Sequence, residues 1–119
     1  MDRMNRTLTG LCEEIERQVK PNLRGLMGLF VNGYLPQVWV FETENGSWTL
    51  FIDTEGNARV FPGTDPDRDV TIRWKHDSLV SVLVSRNRIS VSDGDYPDIF
   101  VQTEKGRAAF NYLKKEIGL

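Results

Sequence analysis

The 119-residue sequence sets 15 Lys and Arg against 17 Asp and Glu, a net charge of −2, so it lacks the cationic surplus that neutralising phosphates demands, and nucleic acid is not an expected partner. With 39% hydrophobic and 27% charged residues at a length suited to one core, the expectation is a single domain over residues 1–119. The lone Cys12 cannot close an intrachain disulfide, the opening Met1-Asp2-Arg3-Met4-Asn5-Arg6 is no apolar signal core, and the longest apolar patch, Leu26 to Val31, falls far short of the roughly 20 residues that span a bilayer; a soluble, cytoplasmic protein is expected.

Leu8, Leu11, Cys12, Ile15 and Val19 recur with helical period, with Glu13, Glu14, Glu16, Arg17 and Lys20 opposite them, which predicts an amphipathic helix over Thr7–Val19. Pro21 disfavours helix at Lys20 but suits the first position of a second, short helix, in which Leu23, Leu26, Met27 and Phe30 repeat until Asn32-Gly33 stops the run. From Gln37 the pattern turns to alternating aromatic and β-branched residues. Strands are predicted over Gln37–Thr43 and Ser47–Asp53, joined by a two-residue Asn45-Gly46 loop, and over Asn57–Phe61 after a longer turn carrying Gly56. Pro62 to Arg68 is a surface loop, Asp69–Trp74 a fourth strand, and Asp77 or Ser78 caps a helix through Leu79, Val80, Val82 and Leu83. A short strand at Ile89–Val91, a turn at Asp93-Gly94-Asp95, a last strand over Asp98–Thr103 and a closing helix over Lys105–Ile117 complete the chain. The fold class is α+β, with about five mainly antiparallel strands and helices packed on one face.

The Asn45-Gly46 loop pairs Thr43 with Trp48, Phe41 with Leu50 and Trp39 with Ile52; the next turn sets Ile52 opposite Ala58 and Leu50 opposite Val60. One face therefore collects Trp39, Phe41, Trp48, Leu50, Ile52, Ala58 and Val60, joined by Val70, Ile72 and Trp74. The other carries Glu42, Thr49, Arg59, Thr71 and Arg73 with Val40, Phe51 and Phe61, and is expected to meet water. All three tryptophans fall on the helical side, where they either form a solid aromatic core or wall a chamber for an apolar molecule; periodicity does not separate these readings.

The order of elements, with Glu44-Asn45-Gly46-Ser47-Trp48-Thr49-Leu50, then Phe61-Pro62-Gly63, then Asp69-Val70-Thr71-Ile72, resembles the sterol carrier protein-2 family of lipid-binding domains, most clearly from Gln37 to Leu83. That resemblance implies a five-stranded sheet with helices on one side, an apolar tunnel between them, and non-enzymatic binding or transfer of fatty acyl chains or sterol-like lipids. The family places a longer helical segment and a Gly-Lys-Leu-like strand before its last helix, whereas Arg86 to Thr103 is short here and carries Ser92-Asp93-Gly94-Asp95-Tyr96-Pro97-Asp98.

Other constellations carry less. Asp65, Asp67 and Asp69 open like a calcium loop, but Val70 replaces its glycine and His76 its final glutamate. Asp93, Asp95 and Asp98 suit turns, and His76 has no nucleophile motif beside it. Cys12 sits on an apolar stripe where thiols are inert, while Gly25 and Gly28 fit close packing better than a phosphate loop. Arg3, Arg6, Arg17, Lys20 and Arg24 would give at most a transient contact with anionic headgroups. The expected ligand-binding wall is Trp39, Phe41, Trp48, Leu50, Ile52, Ile72, Trp74, Leu83, Phe110 and Leu113, with no catalytic residue, metal or cofactor. A rival reading is a homodimer or interaction module with a solid core, joined through Val40, Phe51 and Phe61.

Overall fold

The apolar stripe near the start of the chain becomes helix α1 (Arg3–Asn22), which buries Met4, Leu8, Leu11, Cys12 and Ile15. Full burial of each leucine or isoleucine contributes about 1.5–3 kcal/mol. The helix starts earlier than Thr7 and continues through Pro21, whose missing N–H removes a single bond of the last turn. The structure, a computed structural model, describes residues 3–22, 35–85 and 97–113. The expected second helix over Leu23–Phe30, the strand at Ile89–Val91, the Asp93-Gly94-Asp95 turn and the last helix beyond Leu113 lie outside them.

Five strands follow α1, namely β1 (Gln37–Thr43), β2 (Gly46–Ile52), β3 (Ala58–Pro62), β4 (Val70–Arg73) and β5 (Asp98–Val101). Helix α2 (His76–Ser85) joins β4 to β5, and α3 (Glu104–Leu113) follows β5. The sheet order is β3-β2-β1-β4-β5, and every neighbouring pair is antiparallel except β1 with β4.

The β2–β3 register is the expected one, with Ile52 opposite Ala58 and Leu50 opposite Val60. Asp53 holds that turn, its Oδ1 accepting the N–H groups of Glu55 and Asn57 at 2.9 Å each. The β1–β2 register differs from expectation. Trp39 faces Leu50, Phe41 faces Trp48 and Thr43 faces Gly46, because the turn closes a residue earlier on Glu44-Asn45. Thr43 Oγ1 accepts the Asn45 N–H at 3.0 Å, and Gly46, at φ 141°, takes the ladder position opposite Thr43. Each partner moves by two residues, so every side chain keeps its predicted face.

All three helices share one side of the sheet. The core joins the α1 stripe, Leu79, Val80 and Leu83 of α2, and Ala109 of α3 to Trp39, Phe41, Trp48, Leu50, Ile52, Val70, Ile72 and Trp74, with Ala58, Val60 and Phe110 at its margin.

The opposite face corrects the expectation of a solvated surface. Since β4 pairs with β1 on the side away from β3, the chain after Pro62 must cross β2 and β1 to reach Val70. The crossing is seated on Thr49, whose Oγ1 donates to the Gly63 carbonyl at 2.8 Å and accepts the Asp65 N–H at 3.2 Å. Val40, Thr49 and Thr71 are consequently buried. Val40 faces Thr49 and not Phe51, so the expected contiguous Val40–Phe51–Phe61 patch is interrupted. Phe51 lies under the Arg59 guanidinium, 5.7 Å from the ring centre, and Phe61 stays 40% exposed.

Candidate functional site

Alternation along β1, β2 and β4 sends Trp39, Phe41, Trp48, Leu50, Ile52, Ile72 and Trp74 to the helical side, and each of these residues is buried there. Leu83 of α2 joins them, and Phe110 of α3 is half-buried with its ring centre 5.9 Å from that of Trp39, tilted by 40°. Leu113 ends α3, and its side chain lies outside the described residues. Nine of the ten expected wall residues thus come together.

A buried indole needs a partner for its N–H, and Trp39 finds one in Gln37, the preceding residue on the same face. Trp39 Nε1 donates to Gln37 Oε1 at 2.9 Å, and Gln37 Nε2 donates to the Lys105 carbonyl at 2.9 Å, tying the indole to the first turn of α3. Lys105 Nζ donates to the Pro36 carbonyl at 2.7 Å and lies 3.7 Å from Asp69 Oδ2. Asp69 is itself buried: its carboxylate accepts the Val38 N–H at 2.9 Å and the Thr103 hydroxyl at 2.6 Å. Thr103 Oγ1 in turn accepts the Gly106 N–H at 3.0 Å, as an N-cap does. The polar end of the aromatic layer is therefore fully paired and clamps α3 to the start of β1 and β4.

The opposite end of the layer is held through the hairpin. Glu44 Oε1 accepts the His76 N–H at 2.8 Å at the start of α2, and the His76 ring lies 5.9 Å from Trp48, with Nδ1 3.4 Å from Thr43 Oγ1. The Glu44 carboxyl is held below its ordinary range by its own amide and that of His76, against some desolvation and with help from the His76 and Lys75 charges. The three aspartates of the calcium-like loop do not converge. Asp65 Oδ1 accepts the Asp67 N–H at 2.8 Å, whereas Asp69 turns into the α3 clamp. Burial pushes the Cys12 thiol up to about 12, with Glu16 and Glu13 adding to the shift. Of the suggested headgroup cations, Arg17 pairs with Glu14 at 3.0 Å and Arg6 is exposed.

Neither a family model nor a curated protein matches this sequence. Among solved structures, sterol carrier protein 2 like 2 from Aedes aegypti is similar with a TM-score of 0.52 and 13% identity, over 92% of this chain and 98% of that one. The chain has the sterol carrier protein-2-like fold. A UbiJ-SCP2 ubiquinone synthesis protein is also similar, with a TM-score of 0.48 and 18% identity over 90% of this chain and 88% of its own. The stereoselective inverting sec-alkylsulfatase Pisa1 from Pseudomonas sp. matches at a TM-score of 0.48 and 16% identity, over 66% of this chain, which spans 13% of the sulfatase's length.

Within this sterol-carrier-like fold, sequence reasoning missed Met4 as part of the apolar body, which Leu79 and Val80 join from the expected helix and Ala109 from the closing one, and it missed the whole polar clamp. The spacing of Met4 and Leu8 continues the α1 stripe, and Gln37 shares Trp39's parity, so these two signals were available. Nothing local links Asp69 to Thr103. Among the described residues no helix is long and apolar enough to cross a membrane.

Proposed function

We propose that this chain binds an apolar ligand, an acyl chain or a sterol-like lipid, between its aromatic sheet face and the helices, and carries it in the cytoplasm without transforming it. The observation that supports this reading is the placement of all three indoles and Phe41 on the helix-facing side of the sheet, with Phe110 of α3 laid over Trp39 at the margin of the core. Its proposed wall is Trp39, Phe41, Trp48, Leu50, Ile52, Ile72, Trp74, Leu83, Phe110 and Leu113. Each methylene removed from water contributes about 0.8 kcal/mol, so a long chain outweighs the cost of association without any polar anchor. The sterol-carrier-like fold is consistent with it. A non-catalytic role accords with a Cys12 thiol held protonated and a His76 ring engaged with Thr43 and Trp48.

Organic extraction of purified protein followed by mass spectrometry, together with tryptophan emission during titration with fatty acids, tests the reading. A co-purifying lipid near one equivalent, or a saturable emission change diminished by Phe110→Ala, is the expected result. An empty extract with unresponsive indoles rejects it. A homodimer through Phe51 and Phe61 is the competing reading, favoured by the exposure of Phe61 and disfavoured by the sealing of Val40; sedimentation of wild type and Phe61→Asp decides it.

A further inference from the structure

The tip of the β1–β2 hairpin carries a reactive dipeptide. Asn45 and Gly46 are both exposed, and glycine is the one residue with no side chain to shield its amide nitrogen from the asparagine before it. Two contacts hold that nitrogen back. The Asp69 and Trp74 N–H groups donate to the Val38 and Glu42 carbonyls, so these residues of β1 face β4, and Thr43 turns its backbone groups to β2. The Thr43–Gly46 pair is thereby a hydrogen-bonded rung of the ladder, the last before the turn. The Thr43 hydroxyl adds a second restraint, accepting the Asn45 N–H at 3.0 Å and lying 3.3 Å from the Gly46 carbonyl oxygen. Both stand at the end of a ladder, where local opening costs least.

We propose that Asn45 is a self-modifying site: in the folded protein the Gly46 nitrogen converts the Asn45 side-chain amide to a carboxylate, and Thr43 sets the rate. Base removes the Gly46 N–H proton, the nitrogen attacks Asn45 Cγ, and the Cγ–Nδ2 bond breaks as ammonia leaves with a proton from water. Water then opens the cyclic imide. Cleavage between the nitrogen and Cγ leaves aspartate; cleavage between the nitrogen and the Asn45 main-chain carbonyl carbon leaves isoaspartate, whose main chain is longer by one methylene. The turn has little room for that methylene. Glu44, the preceding residue, reaches the His76 N–H at 2.8 Å, and the Trp48 indole comes within 3.7 Å of where a Cβ on Gly46 would stand. The His76 and Trp48 rings lie 5.9 Å apart, centre to centre. A longer turn therefore draws Glu44 from the start of α2 and shifts Trp48, loosening the hairpin end of the aromatic layer. The inference does not depend on the apolar chamber, since the chemistry needs only the turn and water.

The full chain is incubated at pH 8 and 37 °C, native or unfolded in urea, and peptide mapping follows the mass gain of amide-to-acid conversion. Mapping separates Asn45 from Asn32-Gly33, the second Asn-Gly dipeptide, which lies outside the described residues. Each restraining hydrogen bond slows the reaction by up to about tenfold, so native Asn45 should convert no more than about a hundredfold slower than the unfolded chain. Thr43→Val keeps the shape and removes the hydroxyl, and should speed native conversion by up to about tenfold; Thr43→Ser keeps the hydroxyl and should react like wild type. Isoaspartyl protein should show a displaced indole N–H resonance of Trp48, whereas Asn45→Asp, with the same charge and no added methylene, should leave it in place. Native conversion slower than about a hundredfold would mean that the reaction waits for global unfolding, and overturns the proposal. It is overturned equally if Thr43→Val reacts no faster than Thr43→Ser, or if isoaspartate leaves the Trp48 resonance unmoved. The lipid-extraction result is independent of all these outcomes.

Discussion

Two helical glycines offer the same substitution in opposite settings. Gly10 is exposed on α1, and a Cβ there meets nothing within 4 Å. Gly106 lies in the first turn of α3, where a Cβ would stand 2.5 Å from the Asp69 carbonyl oxygen and 3.0 Å from both its carbonyl carbon and its Cβ. Alanine gains about 0.8–1 kcal/mol over glycine in a helix, so Gly10→Ala should stabilise the protein by about that amount. At position 106 the same gain opposes an overlap with backbone, which no rotamer change relieves. Moving α3 away costs about 1–3 kcal/mol for overpacking. It also strains the Thr103–Asp69 bond at 2.6 Å and the bond from the Gln102 N–H to the Asp69 carbonyl at 2.8 Å, each worth about 1 kcal/mol. The net expectation for Gly106→Ala is a loss of about 1–3 kcal/mol, or roughly 4 °C in Tm per kcal/mol at this size. Urea unfolding followed by tryptophan emission measures both variants. A Gly106→Ala protein as stable as wild type would refute the close approach of α3 to Asp69, and with it the clamp.

Gln37→Ala should cost about 2–4 kcal/mol, because it leaves the buried Trp39 N–H and the Lys105 carbonyl without the amide between them; a loss under about 1 kcal/mol in denaturant unfolding would show that water replaces it. The Glu44 carboxyl is held low by its own amide and that of His76. Asp53 is also low, because the Asn57 and Glu55 amides, the Asn57 side chain and Arg59 together outweigh the opposing effect of burial. Stability from both is therefore present above their ordinary values of 4.5 and 3.8, and is lost as pH falls through the lower folded values. Glu44→Gln and Asp53→Asn should destabilise at pH 7 and converge on wild type in strong acid, and a penalty unchanged down to pH 2 contradicts the assignment. With its thiol pushed up to about 12, Cys12 should resist iodoacetamide at pH 8 in native protein and react once urea unfolds it. Labelling of native protein at the rate of a free thiol would place Cys12 outside the core.

The face assignment was legible because it depends only on parity. The Asn-Gly dipeptide suggested a turn centred on Asn45 and Gly46, whereas the Thr43 hydroxyl, by taking the Asn45 N–H, centres it on Glu44 and Asn45. A hairpin that slips in this way changes each cross-strand partner by two, and two is the period of a strand. Trp39 thus exchanged Ile52 for Leu50 and Phe41 exchanged Leu50 for Trp48, while all of them stayed beneath the helices. The same reasoning explains why the buried aromatic face could be named residue by residue before its neighbours were known.

What lies over a face is a different question, decided by connections that periodicity does not see. An antiparallel meander would have placed β4 beside β3 and left the reverse side of β1 and β2 open; pairing β4 parallel to β1 instead drags the Gly63 to Asp69 segment across that side. Thr49 then becomes a buried anchor for Gly63 and Asp65, and Val40 a sealed residue, although both sit where alternation predicts solvent. The crossing also delivers Asp69 to its clamp, since the residue that ends it must start β4 beside Val38, within reach of Thr103 more than thirty positions later. Asp69 therefore joins three segments that share no local pattern. Its place in the Asp-Val-Thr-Ile stretch follows from this geometry: the carboxylate caps the Val38 N–H at the edge of the parallel pair while Val70 and Ile72 enter the core and Thr71 turns to the opposite face.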